Sequence, residues 1–172
     1  PSQNFTEDQY MNAVDYLAKM IKDGFIRQVK GNDYKEDLIS GDAIAVIGWS
    51  GDIFQLATEN DGKFEFAIPE SGGMLWSDNL LIPSTSTNKA NAEKVINNYY
   101  DPAVAAEVAA YVTYICPVKG AQAEMEKIDP ALASSPFIFP TAETLKQVKV
   151  FRGLTPAEET SFTTAFQEAA GN

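Results

Sequence analysis

Apolar positions recur along this chain at two spacings, and each predicts a different element. Tyr10, Val14, Leu17, Ala18 and Ile21 fall on one face at helical spacing. The residues before them, Phe5-Thr6-Glu7-Asp8-Gln9, form a helix start: Thr6 caps, Gln9 closes the capping box, and Phe5 staples to Tyr10. Gly24 ends this helix as a left-handed cap. Phe25 to Val29 reads as a short strand, and Asp33 to Glu36 repeats the capping pattern for a short helix that stops before Gly41. Ala43-Ile44-Ala45-Val46-Ile47-Gly48-Trp49 is apolar without interruption, the mark of a strand buried on both faces. Ser50-Gly51-Asp52 opens an amphipathic helix to about Glu59 on Ile53, Phe54 and Leu56. Asn60-Asp61-Gly62 turns the chain, Lys63 to Ile68 alternates as a half-buried strand does, and Leu80 to Ile82 reads as another strand.

Helical spacing returns in the second half. Asn88 to about Asn98 carries Ala92, Val95, Ile96 and Tyr99 as its apolar stripe. Asp101-Pro102 starts a helix to about Val112, with proline at the favoured first position. Lys119 to Lys127 is a further helical piece, and Asp129 to Pro140 is rich in Pro and Ser and reads as irregular. Thr141 to Gln147 predicts a short helix, Val148 to Phe151 a strand, and Thr155-Pro156-Ala157-Glu158 opens a last helix to about Ala170. Helices and strands alternate throughout, which argues an α/β class.

The length, 172 residues, suits one domain with a sizeable core or a large part of a two-lobed protein. No run has the length and apolarity of a membrane-spanning helix; the stretch near Ala103 to Cys116 is broken by Glu107. Thirteen basic residues stand against 24 acidic ones, a net charge of −11. That balance argues against nucleic acid as a partner and suits cations. Histidine is absent and Cys116 is the only cysteine, so Ser-His-Asp triads, Cys-His pairs and His-based zinc sites are excluded within this chain. Cys116 sits in the apolar run Tyr114-Ile115-Cys116-Pro117 and reads as a buried small hydrophobe rather than a nucleophile. The chain begins with Pro1 directly before a capped helix, and it reads as a processed chain or a fragment lacking its N-terminal part.

The candidate chemistry lies in Gly72 to Pro83. Trp76 and Asp78 are two residues apart, and in a strand they share a face. An indole face attracts a cation through its quadrupole and a carboxylate attracts it by charge, so the pair makes half a cage for an organic ammonium group. The competing reading is a core Trp and a turn Asp. Trp49 stands at the end of the apolar run, where open α/β sheets collect ligands, or else it plugs the end of a core. The helix start at Ser50-Gly51 has free N–H groups suited to an anion, while Asp52 more simply complements the helix dipole. Tyr114 leaves a helix shortly before Pro117 and offers a ring face and a hydroxyl, for ligand or for packing. Gly72-Gly73 is a tight turn and not a phosphate loop, and no carboxylate pair is fixed by spacing. No catalytic residue, metal or cofactor is therefore expected, and the reading is of a non-enzyme.

Several segments carry a resemblance. They are Val46-Ile47-Gly48-Trp49-Ser50-Gly51, Pro69-Glu70-Ser71-Gly72-Gly73-Met74-Leu75-Trp76-Ser77-Asp78, and Leu81-Ile82-Pro83 with Asn88-Lys89. Tyr99 to Ala109 around Asp101-Pro102, then Tyr114, and Phe139-Pro140-Thr141-Ala142-Glu143-Thr144 follow in order. In these the chain resembles the C-terminal part of a bacterial polyamine (spermidine/putrescine) substrate-binding protein of an ABC transporter. The resemblance implies a type II periplasmic-binding-protein fold, two α/β lobes closing on ligand in the cleft between them. It puts Trp49, Trp76, Asp78 and Tyr114 at ligand-contacting positions, the rings clamping a methylene chain and the acid taking an ammonium end. A further polar contact of the family lies near Val150 to Arg152; Phe151 or Arg152 stands there, which leaves the ligand length open. By the same token residues 1–77 and 122–172 form the second lobe, and residues 78–121 are the return segment of the first.

About as much chain again precedes the matching part in the family. The return segment then has a packing face that is covered by a missing N-terminal segment, a domain swap or a dimer, or else the fold is altered. The implied partners are a small cationic polyamine and a membrane permease, and the implied location is periplasmic or cell-surface, with a lipid anchor in the full-length protein. Three competing readings are a binding protein of this fold for a sugar, an anion or an iron complex; a carboxylate enzyme; and a truncated, ligand-incompetent lobe.

Overall fold

Side-chain caps start five of the helices, at Thr6, Asp101, Asp129, Thr141 and Thr155. In the computed structural model, which describes residues 4–171, helix α1 (Glu7–Lys22) starts at Thr6 with both bonds of the capping box in place. Gly24 follows its end in the left-handed conformation. Helix α2 (Tyr34–Ser40) follows Asp33, which stands in helical backbone and makes no side-chain capping bond, so the capping pattern read there is corrected; the helix stops at Gly41, also left-handed. Then come α3 (Ser50–Glu59), strand β1 (Gly73–Met74), α4 (Lys89–Tyr99) and α5 (Pro102–Val112), the last with Asp101 capping and proline in its first turn. Helices α6 (Ala121–Ile128), α7 (Pro130–Ala133) and α8 (Ala142–Lys146), strand β2 (Val148–Lys149) and α9 (Pro156–Ala170) complete the order. The segment read as irregular thus contains one helical turn, α7, because Asp129 caps it and Pro130 starts it.

The described residues fall into two units, 4–47 with 149–171, and 48–148. In the first, α1 packs on α9. Its centre is Phe162, 2% exposed, with the Tyr10 ring stacked on it at 4.0 Å between centroids. The Tyr10 hydroxyl donates to the Phe162 carbonyl, and burial raises the phenol above its usual pKa. Phe5 lies 6.1 Å from Tyr10, as a hydrophobic staple requires. Arg152 covers the Phe5 ring at 4.5 Å and grips Glu158 with two nitrogens. Glu158 also closes the Thr155 capping box. The Arg152 bonds first, then those from Thr155, hold its carboxyl down to about 2.

The core of the second unit joins α5, α6 and α7. Ala105, Ala106, Ala109, Ala121 and Ala133 are buried around Met125 and Ile138. Small side chains let these helices approach closely, and Met125 and Ile138 fill the remaining space. Cys116 packs against this core as a small hydrophobe, and desolvation raises its thiol pKa. The two short strands pair, and the Gly73 N–H donates to the Gln147 carbonyl at 2.9 Å. Gly72 is left-handed there, and a Cβ on it would stand 2.8 Å from the Gln147 oxygen.

Four strand expectations are corrected. Residues 25–29, 43–49, 63–68 and 80–82 form no ladder among the described residues, and Val148 to Phe151 shortens to β2. Ile44 and Ile47, expected buried on both faces, are fully exposed, and so in large part are Leu80 and Leu81. An apolar run specifies that a segment can be buried. A strand also needs a neighbouring strand to take its N–H and C=O groups, and among the described residues these segments pair with none.

Candidate functional site

Within the second unit three aromatic rings meet. Trp49 is the residue at which extended backbone turns into α3, with φ −88° and ψ 135°. Trp76 follows β1 by two residues, and Tyr114 follows the exit of α5. The Trp49 and Trp76 centroids are 4.7 Å apart with the planes tilted 57°, and Trp76 meets Tyr114 edge-on at 6.3 Å. The two indoles keep 44% and 43% of their surface exposed. They form an open wall rather than an enclosed cavity, and they do not plug a core.

Tyr114 is held from two sides. Its hydroxyl donates to Asp52 Oδ1 at 2.9 Å. Its ring lies on the backbone of Gly51, where an added Cβ would come within 2.2 Å of Cδ2 and Cε2. Thr113, left-handed at φ 56°, ends α5 and donates its hydroxyl to the Gly51 carbonyl at 3.1 Å. Gln55 Nε2 donates to the Val112 carbonyl at 3.2 Å. The first turns of α3 and the end of α5 are therefore tied together beneath the rings.

Trp49, Trp76 and Tyr114 are thus brought together, and Asp78 is not drawn into their contacts. It lies two residues beyond Trp76, exposed, in none of the ion pairs or hydrogen bonds recorded among the described residues. Asp52, read from sequence only as a complement to the helix dipole, is the carboxylate beside the rings. Gly51 was read only as part of a helix start with free N–H groups, and Thr113 was not singled out. Glycine permits close approach to backbone, whereas nothing in the sequence marks Thr113. The chemistry is exposed aromatic face beside carboxylate, which attracts an organic cation by quadrupole and by charge. No cluster of metal-ligating side chains occurs among the described residues. No helix among them is long and apolar enough to cross a membrane.

Two hollows of the same unit lie elsewhere. One, about 480 Å³, is lined by Cys116 to Gly120, Gln122, Phe139 and Pro140. The other, about 310 Å³ and mostly apolar, lies between Leu80 to Pro83 and α4.

Comparison with known proteins agrees with the resemblance. The sequence profile of the bacterial extracellular solute-binding proteins matches residues 2–136. The putrescine-binding periplasmic protein PotF of Escherichia coli is 28% identical over 148 residues, covering 83% of this chain and 39% of PotF. The spermidine/putrescine-binding periplasmic protein of the same organism is 34% identical over 98 residues, covering 57% of this chain and 27% of that protein. A Listeria monocytogenes structure provisionally assigned to a spermidine/putrescine ABC transporter superposes with TM-score 0.77 at 29% identity, over 91% of this chain and 47% of that one. The spermidine/putrescine ABC transporter substrate-binding protein PotD of Streptococcus pneumoniae superposes with TM-score 0.75 at 23% identity, over 97% of this chain and 50% of that one, and shares the fold. The chain therefore spans half or less of the length of these relatives, and over that length its helix-rich α/β architecture is that of the periplasmic binding proteins. With 135 consecutive residues matched by the profile, it belongs to the family of bacterial extracellular solute-binding proteins.

Proposed function

We propose that this chain is part of the substrate-binding component of an ABC importer and binds polyamines. Trp49, Trp76 and Tyr114 stack on the methylene chain, and Asp52 with Asp78 draws the ammonium ends. The observation that carries this reading is the contact of the three rings beside Asp52. The polyamine names of the relatives support it. In this reading residues 78–121 include the return segment of the first lobe, with α6 and α7 packed on its helix α5. Ligand bound at the rings is closed upon by the opposite lobe and delivered to a membrane permease, and no bond is made or broken. The protein works outside the cytoplasmic membrane, lipid-anchored in its full-length form. The exposed apolar side chains of the return segment, Leu80, Leu81 and Val95 among them, are covered by further chain or by a second copy.

Magnitudes set the affinity to expect. An exposed cation–π contact is worth roughly 0.5–1 kcal/mol, whereas micromolar binding needs about 8 kcal/mol. Three rings and two carboxylates on an open wall fall short of that, so the chain alone binds putrescine and spermidine more weakly than a complete two-lobed protein. Titration calorimetry with both polyamines tests the reading. Heats that vanish in Trp76→Ala support it. No heat with either polyamine at high ligand concentration, or binding indifferent to Trp76→Ala, would refute it.

A further inference from the structure

Thr113 stands in a backbone conformation that side chains branched at Cβ rarely adopt, φ 56°. Such strain persists only where the surroundings over-determine it, and it gathers at positions that must hold a geometry. Left-handed residues at helix ends are usually Gly or Asn, and for capping alone either would serve better than Thr. The capping bond itself, from the Thr113 N–H to the Ala109 carbonyl, uses backbone only. What a threonine adds is its hydroxyl. The hydroxyl oxygen lies within donating distance of two carbonyls, Val112 at 2.8 Å and Gly51 at 3.1 Å. The second of these contacts crosses from the end of α5 to the first turn of α3. The next residue is Tyr114, whose ring rests on Gly51 and whose hydroxyl reaches Asp52.

We propose that Thr113 is a positioning residue for the aromatic wall: its hydroxyl latches the α5 exit to Gly51 and so fixes where Tyr114 presents its ring and hydroxyl. The strained turn sets the direction of Tyr114, and the Gly51 bond sets its height over α3. For its ligand readout the inference rests on the polyamine reading; its spectroscopic readout does not.

Three substitutions separate a latch from an ordinary helix cap. Thr113→Gly relieves the backbone strain and removes the hydroxyl. Thr113→Ser keeps the hydroxyl, and Thr113→Val keeps the shape without it. Each is measured in the 172-residue chain by thermal melting, by near-ultraviolet circular dichroism of the coupled rings, and by calorimetry with putrescine. A latch predicts a split in Thr113→Gly: melting temperature equal to or above the parent, a reduced aromatic band, and putrescine affinity weaker by about three- to tenfold, the worth of one hydrogen bond. Thr113→Val loses band and affinity to the same degree, and Thr113→Ser keeps both. Parent-like band and affinity in Thr113→Gly would overturn the latch, as would failure of Thr113→Ser to keep them. If the parent itself ignores putrescine, the polyamine reading falls and the aromatic band alone decides the latch.

Discussion

The phenolic hydroxyl of Tyr114 donates to Asp52 Oδ1 at 2.9 Å, between residues 62 apart in sequence. Asp52 lies in the first turn of α3, where the helix dipole already favours a carboxylate. The bond therefore turns a locally stabilised acid toward the rings. Tyr114→Phe keeps the ring and removes the donor. We expect a loss of about 0.5–1.5 kcal/mol, the net worth of a hydrogen bond, read as a lower urea midpoint at unchanged slope.

Gly51→Ala sets two effects against each other. Alanine in a helix is more favourable than glycine by about 1 kcal/mol. Its Cβ would, however, stand 2.2 Å from two carbons of the Tyr114 ring, and the ring must leave its seat. Overpacking of this kind costs about 1–3 kcal/mol, so the balance is destabilising. The expected result is a lower melting temperature with tryptophan emission shifted as Trp76 loses its edge contact. A variant more stable than the parent would contradict the close packing.

Acid should weaken the first unit through Glu158. Its carboxyl is lowered from 4.5 to about 2 in the folded protein, chiefly by Arg152 and then by Thr155. A lowered folded pKa means stability present above the unfolded value and lost as pH falls from about 4.5 toward about 2. Glu158→Gln removes this dependence. Urea midpoints on either side of that window should converge for the variant relative to the parent; equal pH slopes in the two proteins would contradict the Arg152 grip.

Phe162 and Met125 are the largest side chains completely enclosed in their respective units. Truncating either leaves a cavity. Phe162→Ala should cost about 3–5 kcal/mol and Met125→Ala about 2–5 kcal/mol. Amide exchange locates the damage: the first change should loosen α1 and α9, the second α5 and α6. Exchange accelerated in the wrong unit would contradict the assignment of these residues to separate cores.

Helices were legible because their signals are local. Thr6 with Gln9, Thr155 with Glu158, Asp101 with Pro102, and the glycines at 24 and 41 act within one turn of the element they bound, and each acts as read. The strands were not legible in the same way. Ile44 and Ile47 announce an element that belongs inside a sheet, but the pairing backbone lies outside the segment, and the residues stand exposed. The site was legible in part. Trp49, Trp76 and Tyr114, which meet in one cluster, were singled out because large aromatics at element ends are few. Asp52 was passed over because its dipole role explained it locally, and Asp78 drew notice for its spacing from Trp76 yet stands apart from the ring contacts.

The sequence by itself determined most of the helices to within a few residues, the net charge of −11, the exclusion of histidine chemistry, and the segments by which the family is recognised. Those properties reside in residue types or in neighbours a few positions apart, so no fold is needed to express them. Tertiary structure alone decided that Tyr114 lies on Gly51, that its hydroxyl meets Asp52, and that Thr113 adopts a strained turn bonded to α3. Each of these joins residues about 60 positions apart, and no local pattern encodes such a distance. It follows from how α3 and α5 come to rest when the chain buries its apolar surface.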